Sequence, residues 1–470
     1  MIKFGTGGWR AIIGDDFIRS NIQVLAKAMC DKMRNENVQE TGMVIGYDRR
    51  FLSKEAMQWA AQVFAAEGIK TRLINYSVPT PVVMFYVMRH RMKYGMMITA
   101  SHNPALYNGI KIFTEAGRDA EEEQTCQIEE YCKDIDPCEV EVMDYDRAVE
   151  EGLIEEIYPL NEYLDNIIDT INMEMIRSKR MRIALDPLYG VSGASLRTIL
   201  LTARCEVDTM HENHDTLFGG HLPAPNEETL RPLQNYVTAK HFDMGVATDG
   251  DGDRLGVIDD TGQFLHPNEI LLMLYYYLLK YKGWHGPAVR NIATTHMLDR
   301  LADFFGEECY EVPVGFKYIS AMMQEKDAVI GGESSGGLTV RGHIHGKDGV
   351  YAASLLVEMV AVTGKKLSEL LREVKELSGA AEMVEYAFRF STEKKADIEE
   401  TLMKDKLLPG FDFPVEKVSY MDGCKVYFQN GGWVIARFSG TEPLLRIFSE
   451  MPSREMAVQN VRRLEEFLKL

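Results

Sequence analysis

Apolar and polar positions fall in blocks whose period switches between two residues and about three and a half, and the switching predicts strands and helices in turn. Residues 43–48 (MVIGYD) are a short apolar run that reads as a buried strand. Residues 53–67 place apolar side chains at helical spacing, with Ser53 as N-cap and Glu55, Gln62 and Glu67 on polar faces. Strands are predicted again at 70–75 and 95–100, and the acidic segment 119–134 reads as an exposed helix. The pattern restarts with a helix over 159–175, a strand at 182–186, a helix at 193–203, a strand at 206–210, a helix at 227–240 and a strand at 244–248. A third cycle opens with a helix after Pro267, continues with strands near 291–295 and 327–331, and closes with helices near 349–363 and 367–378. Such alternation argues for mixed α/β layers. After Gly379 the chain becomes strand-rich (382–390, 424–428, 433–438, 444–448) and ends in a helix over 454–469, the signature of a smaller α+β domain. The shifts in pattern divide the chain into 1–155, 156–260, 261–378 and 379–470.

A length of 470 residues at roughly 100–200 residues per domain agrees with three or four domains. The net charge of −19 argues against nucleic acid or an anionic membrane as a partner, so an anionic substrate needs local positive focusing. Seven cysteines, odd in number and without a CxxC pair, argue against a disulfide framework and structural zinc. The first residues carry no apolar signal core, and the most apolar long stretch, 270–279, is too short to span a bilayer. The expected location is a reducing cytoplasm.

Two motifs carry the chemistry. Thr99-Ala100-Ser101-His102-Asn103-Pro104 follows a strand, and its Asn-Pro pair favours a tight turn that holds the Ser101 hydroxyl at a loop tip. His102 beside it is either a catalytic or a structural histidine. Asp249-Gly250-Asp251-Gly252-Asp253-Arg254 also follows a strand. If the backbone stays extended there, Asp249, Asp251 and Asp253 point the same way and converge on a hard cation such as Mg²⁺. An EF-hand is excluded because Arg254 and Asp260 stand where its Gly and Glu belong, and a DxDGT-type phosphatase because Asp253 replaces the Thr. A phosphoryl group on Ser101 needs such a cation, so the pair of motifs points to an enzyme that carries phosphate on serine.

Gly332-Glu333-Ser334-Ser335-Gly336 matches the G-x-S-x-G elbow of hydrolases, but Gly337-Leu338-Thr339-Val340 after it is β-like where the elbow requires a helix. A carboxylate and a hydroxyl on a glycine loop suit sugar hydroxyls better. Arg437-Phe438-Ser439-Gly440-Thr441-Glu442-Pro443, followed by Arg446, offers guanidinium forks, hydroxyls and an exposed backbone N–H to a phosphate. No Walker loop occurs, which argues against a nucleotide-driven kinase. His343 and His345 lack the acidic or cysteine partners of a zinc site and read better as structural or substrate-contact groups.

Taken in order, these motifs resemble the α-D-phosphohexomutase family, which includes phosphoglucomutases and phosphomannomutases, over essentially the whole chain. The resemblance implies four domains around a central cleft, three of related α/β topology and a small α+β fourth. It implies that Ser101 is phosphorylated, that Asp249, Asp251 and Asp253 bind Mg²⁺ together with the phosphoryl oxygen on Ser101, and that Arg254 lies beside the phosphoserine. Lys111 matches the lysine near the reacting hydroxyl and would serve in proton transfer if nearby cations lower its pKa. Arg10 matches the N-terminal active-site arginine, Lys317 the third-domain substrate lysine, and Glu333 and Ser335 the sugar contacts. Arg437, Ser439, Gly440 and Thr441, with Arg446 close by, match the distal phosphate site. Gly337 departs from family members, including dual glucose/mannose enzymes, that carry His there; His343 and Lys347-Asp348-Gly349 resemble the phosphoglucomutase-like pattern. The implied reaction interconverts glucose 1-phosphate and glucose 6-phosphate through a hexose 1,6-bisphosphate, with glucose 1,6-bisphosphate as activator and the enzyme a monomer or homodimer. Phosphomannomutase and phosphoglucosamine mutase activities are the alternatives by the same mechanism, and a Mg²⁺-dependent sugar phosphatase or a non-enzymatic sugar-phosphate binder the more distant ones.

Overall fold

Three of the sheets repeat one arrangement. The computed structural model describes residues 2–5, 7–439 and 444–470. In the first sheet Thr71–Ile74, Met43–Tyr47 and Tyr94–Ile98 run parallel in that spatial order, and Tyr107–Thr114 returns antiparallel. In the second, Glu206–Thr209, Arg182–Asp186 and Met244–Thr248 are parallel and Leu255–Ile258 returns antiparallel. In the third the same roles fall to Cys309–Val312, Ala288–Asn291, Ile330–Gly332 and Leu338–Val340. Each sheet therefore has one hairpin between its third and fourth strands. The three hairpin loops, 99–106, 249–254 and 333–337, are the motifs singled out above. The first sheet extends further, with Gly8–Ile12 beside Tyr107–Thr114 and Ile154–Ile157 beside Thr71–Ile74. The fourth sheet is wholly antiparallel, in the order Glu382–Arg389, Leu444–Met451, Trp433–Phe438, Cys424–Phe428, Val415–Ser419, and the helix Arg454–Leu468 packs on it.

Parallel strands covered on both faces need apolar runs rather than alternation, and Met244–Thr248 and Tyr94–Ile98 are buried at every position. The largest core joins side chains from Val44 to Val374, so the first three sheets share continuous apolar packing. The helix Pro267–Lys280 lies inside that core, buried all the way round from Ile270 to Leu279. A separate cluster of Ile292, Ala293, Trp433, Ile435 and Phe448 joins the third sheet's loops to the fourth.

Several expectations shift. Leu52, at φ 64°, takes the N-cap of Ser53–Ala66, and the Ser53 hydroxyl instead donates to Asp48 Oδ1 at 2.8 Å. The segment 159–175 divides into Leu160–Thr170 and Met173–Lys179, because Asn172 caps the second helix by accepting from the Met175 N–H at 3.1 Å. The strand near 291–295 lies earlier, at Ala288–Asn291. Asn291 Oδ1 accepts from the Ala293 N–H and the Thr294 hydroxyl and turns the chain there. The strand near 327–331 lies later, at Ile330–Gly332, after Asp327 closes the preceding helix in a left-handed conformation. No helix among the described residues is long and apolar enough to cross a membrane.

Candidate active site

Ser101 sits in the left-handed region at φ 53°, a conformation that costs a non-glycine residue on the order of 1–2 kcal/mol. The surrounding contacts hold it there: its N–H donates to Thr99 Oγ1 at 2.9 Å, and the Thr99 hydroxyl donates to Asp48 Oδ2 at 2.6 Å. The buried Ser101 hydroxyl then donates to Asp249 Oδ2 at 2.8 Å, joining the loop of the first sheet to that of the second. The two backbones touch as well. A Cβ placed on Gly250 would stand 2.8 Å from the Ser101 carbonyl oxygen.

The three aspartates converge, but by a different route from the extended alternation expected. The segment is a turn, with Gly252 at φ 73°. Asp249 Oδ1 accepts the N–H groups of Asp253 and Arg254 at 3.0 and 3.1 Å, which curls the loop about its own first carboxylate. All three carboxylates are buried, each offering one oxygen within 4.8 Å of the others. Asp251 Oδ2 accepts from the Thr80 hydroxyl at 2.6 Å and from Lys111 Nζ at 2.6 Å. Asp253 Oδ2 lies 2.7 Å from Lys111 Nζ and 3.2 Å from Lys347 Nζ. Asp251 Oδ1 and Asp253 Oδ1 are buried with no hydrogen-bond partner among the described residues. Buried carboxylate oxygens without a donor are costly, and a hard cation held by oxygen ligands satisfies them, so these residues fit a metal ion.

The charge balance around the triad is uneven. Burial, then the carboxylates of Asp253 and Asp251, push the Asp249 pKa well above the ordinary range. Burial pulls Asp253 the same way, but Lys111, Lys347 and Arg254 together hold it well below. For Lys111 burial lowers the pKa, and Asp251 and Asp253 overcome it and raise it. Lys111 therefore stands as an ammonium gripped by two carboxylates. The charged groups nearest Lys111 are the anions Asp251 and Asp253 rather than the cations on which the expected proton transfer depends. His102, its Nδ1 3.4 Å from Ser101 Oγ, is held neutral by burial and by Arg254 and Arg10.

Above these loops lies a cleft lined by Arg10, His102, Asp119, Arg254, Glu333, Ser335, Lys347, Arg437, Ser439 and Arg446 among others. Arg10, Arg254 and Arg437 each have a buried Nε with no hydrogen-bond partner among the described residues, so the walls are built to receive anionic oxygens. Glu333 is held by Asn291, whose Nδ2 donates to Oε2 at 3.2 Å. Its loop docks on the metal loop through an antiparallel bridge between Arg254 and Gly337, with Leu255 N–H donating to the Gly336 carbonyl at 3.1 Å. Leu338–Val340 is a strand, so the hydrolase elbow lacks its helix.

One expected substrate contact, His343, lies elsewhere. His343 is buried, its Nε2 2.7 Å from Asp348 Oδ2 and its ring stacked on Tyr351 at 4.1 Å. There it helps orient Asp348, the cap of the helix Gly349–Thr363. Lys317 pairs with Glu122 at 3.2 Å and follows Gly315 and Phe316, which line the cleft. Gly440 and Thr441 lie outside the described residues. Sequence reasoning missed Asp48, Arg50, Thr80, Asp119 and Asn291. Each has a partner in the site that is distant in sequence, and only the short GYDRR segment (46–50) at the end of a strand carried any signal for two of them.

The same architecture occurs in known proteins. Models of the phosphoglucomutase/phosphomannomutase family match along the chain: alpha/beta/alpha domain I over residues 1–138, domain II over 161–262, domain III over 266–377 and the C-terminal domain over 414–465. The chain is 28% identical over 470 residues, 99% of each protein, to a phosphoglucomutase/phosphomannomutase of Thermococcus kodakarensis. It is 30% identical over 455 residues, 97% of this chain and 95% of the relative, to a protein of Methanopyrus kandleri named a probable phosphoglucosamine mutase. The crystal structure of a Thermus thermophilus protein described as a phosphomannomutase superposes with a TM-score of 0.86 at 28% identity, covering 100% of this chain and 99% of the other. Four domain matches in order, on sheets whose equivalent hairpins meet at one anion-receptive cleft, place this chain in the α-D-phosphohexomutase family of phosphoryl-transferring isomerases.

Proposed function

We propose that the enzyme interconverts glucose 1-phosphate and glucose 6-phosphate, with Ser101 as the phosphoryl carrier. The observation that carries this reading is the Ser101 hydroxyl 2.8 Å from Asp249, beside a cleft whose far wall presents Arg437 and Ser439. The phosphoryl group on Ser101 Oγ passes to the free sugar hydroxyl: the Oγ–P bond breaks as the new O–P bond forms, and the hydroxyl proton ends on the departing Ser101 Oγ, which becomes a hydroxyl again. The resulting hexose 1,6-bisphosphate turns end over end, and its other phosphoryl group returns to Ser101. Such transfer depends on positioning and charge neutralisation. Arg254 and Arg10 face the transferring group, Lys111 supplies a fixed positive charge, and Glu333 with Ser335 orients the ring hydroxyls. Arg437 and Ser439, with Gly440 and Thr441, hold the phosphate that is not reacting. Asp249, Asp251 and Asp253 would hold Mg²⁺, which when bound neutralises phosphoryl charge. Glucose 1,6-bisphosphate is the proposed activator, since it can load Ser101 directly.

Glucose over mannose is supported by the end of the sugar loop. Gly337 stands where dual-specificity members carry histidine, and an added Cβ would lie 2.2 Å from the Lys347 stem, which occupies the place. Phosphoglucosamine mutase is the second reading, favoured by the name of the Methanopyrus kandleri relative. The test is a panel of glucose, mannose and glucosamine 1-phosphates with bisphosphate activator and Mg²⁺, read as kcat/KM. Highest kcat/KM for glucose 1-phosphate is expected. A tenfold preference for either competitor overturns the glucose reading and leaves the phosphoserine scheme intact.

A further inference from the structure

The loop that carries Ser101 is anchored from below by one side chain outside the four motifs. Arg50 lies just beyond the strand Met43–Tyr47 and is buried. Its Nη1 donates to the carbonyl oxygens of Pro104 and Tyr107, both at 2.9 Å. Its Nη2 donates to those of Ser101 at 2.7 Å and Asn103 at 2.6 Å. The four terminal N–H bonds of the guanidinium are thus matched to four carbonyls of one loop, and Nε faces Asp48 Oδ2 at 3.4 Å. Its Cζ lies over the ring of Phe218, from the second sheet's segment, 4.9 Å from the ring centroid. Asp48, the ion-pair partner of Arg50, also receives the Thr99 hydroxyl, and Thr99 in turn receives the Ser101 N–H. Arg50 and Asp48 therefore grip both ends of a turn whose nucleophilic residue has positive φ.

We propose that Arg50 is a positioning residue for phosphoryl transfer: its guanidinium clamps the 101–107 loop through four carbonyls and so fixes Ser101 Oγ against Asp249. The group does not line the cleft, and Ser101 intervenes between it and any substrate. A planar fork with five donors suits this task. A lysine at the same place keeps the charge beside Asp48 but cannot reach four carbonyls spread over two directions. The clamp also explains the contact with Phe218, which ties the position of the serine loop to the body that carries the metal loop.

The proposal rests on Ser101 as phosphoryl carrier, and the experiment separates the two ideas. Wild-type enzyme and Arg50→Lys are dephosphorylated and mixed with glucose 1,6-bisphosphate and Mg²⁺, and phosphate on the Ser101 peptide is followed by rapid-quench mass spectrometry. Because displacement of a reacting group by about 1 Å costs about 100-fold, R50K should slow labelling by roughly 30- to 100-fold. The Kd for glucose 6-phosphate should stay within about twofold, since the clamp does not touch the sugar or distal phosphate loops. Hydrogen exchange should rise in the 101–107 peptide and nowhere else. A second variant, Phe218→Ala, keeps every donor and removes only the ring. It should show the same pattern at roughly three- to tenfold, and it decides the matter if R50K does not fold. Labelling within threefold of wild type in R50K, or in F218A a loss of Kd that matches the loss of rate, overturns the clamp. Absence of label on wild-type Ser101 overturns the carrier reading instead.

Discussion

The backbone contact between the serine and metal loops makes Gly250→Ala a sensitive probe of the site. Gly250 does not have positive φ, so alanine meets no conformational strain there. It meets the Ser101 carbonyl oxygen at 2.8 Å and Pro223 Cβ at 3.3 Å, whereas ordinary contact begins near 3.4 Å. The first neighbour is backbone and cannot swing aside, so the two loops must part by roughly 0.6 Å at a cost of about 1–3 kcal/mol in overpacking. Transmitted to the side chains, that displacement stretches the Ser101–Asp249 hydrogen bond from 2.8 Å to the edge of the bonding range. If about 1 Å of misplacement costs about 100-fold, 0.6 Å costs roughly 15-fold, or about 1.6 kcal/mol of transition-state stabilisation. The assay is kcat and the single-turnover rate of Ser101 phosphorylation, with hexose-phosphate Kd and thermal midpoint measured alongside. Gly410→Ala is the control, because an added Cβ there meets nothing within 4 Å. G250A should lose roughly 15-fold in both rates with Kd nearly unchanged. Rates within twofold of wild type, in a protein as stable as G410A, would refute the claim that loop contact sets the reacting geometry.

Other consequences are equally direct. Chelation should abolish turnover and Mg²⁺ restore it, and Asp253→Asn should raise the Mg²⁺ concentration needed for half activity by at least about tenfold, because it removes an unpartnered ligand oxygen. Unchanged Mg²⁺ dependence would count against the triad as the metal site. His211 has its pKa raised mainly by its hydrogen bond to Asp186 at 2.9 Å, with burial opposing. A folded pKa above the unfolded value of about 6.5 means that this contribution is complete below about pH 6.5 and fades as pH climbs through the raised value. The thermal midpoint of wild type minus that of His211→Gln should therefore shrink as pH rises above about 6.5; a flat difference contradicts the assignment. Lys425 is fully buried between Glu311 at 2.7 Å, the Ile292 carbonyl at 2.6 Å and the face of Trp433. Lys425→Met should destabilise the junction of the third and fourth sheets by about 2 kcal/mol, visible in chemical denaturation, because the partly buried Glu311 keeps Arg290 but loses its hydrogen bond from the Lys425 ammonium.

What was legible in the sequence followed the length scale of each interaction. The aspartate loop could be read because its three carboxylates lie within five residues, although the reason for their convergence is a turn about Asp249 and not extended alternation. Long helices such as Gly349–Thr363 and Leu367–Ser378 were read to the residue because periodicity accumulates over many positions. Boundaries governed by one side chain were not. Asn172 divides a helix, Asn291 ends a strand, and Asp48 takes the Ser53 hydroxyl away from helix capping. Lys111 and His343 were assigned plausible chemistry by motif. Their electrostatics depend on Asp251, Asp253 and Asp348, and for Lys111 those partners lie about 140 residues away. Arg50 illustrates the limit. Its function in the fold is a set of contacts to carbonyls, which leave no trace in side-chain identity.

The most direct measurement is site mapping of enzyme-bound phosphate after incubation with glucose 1,6-bisphosphate and Mg²⁺, followed by a chase with unlabelled hexose 1-phosphate. Phosphate should appear on the peptide containing Ser101, leave during the chase at a rate no slower than turnover, and be absent from Ser101→Ala, which should have lost mutase activity by at least about 1000-fold. Phosphate found on Asp249 or Asp251 with Ser101 unmodified, or full turnover by S101A, would contradict the account.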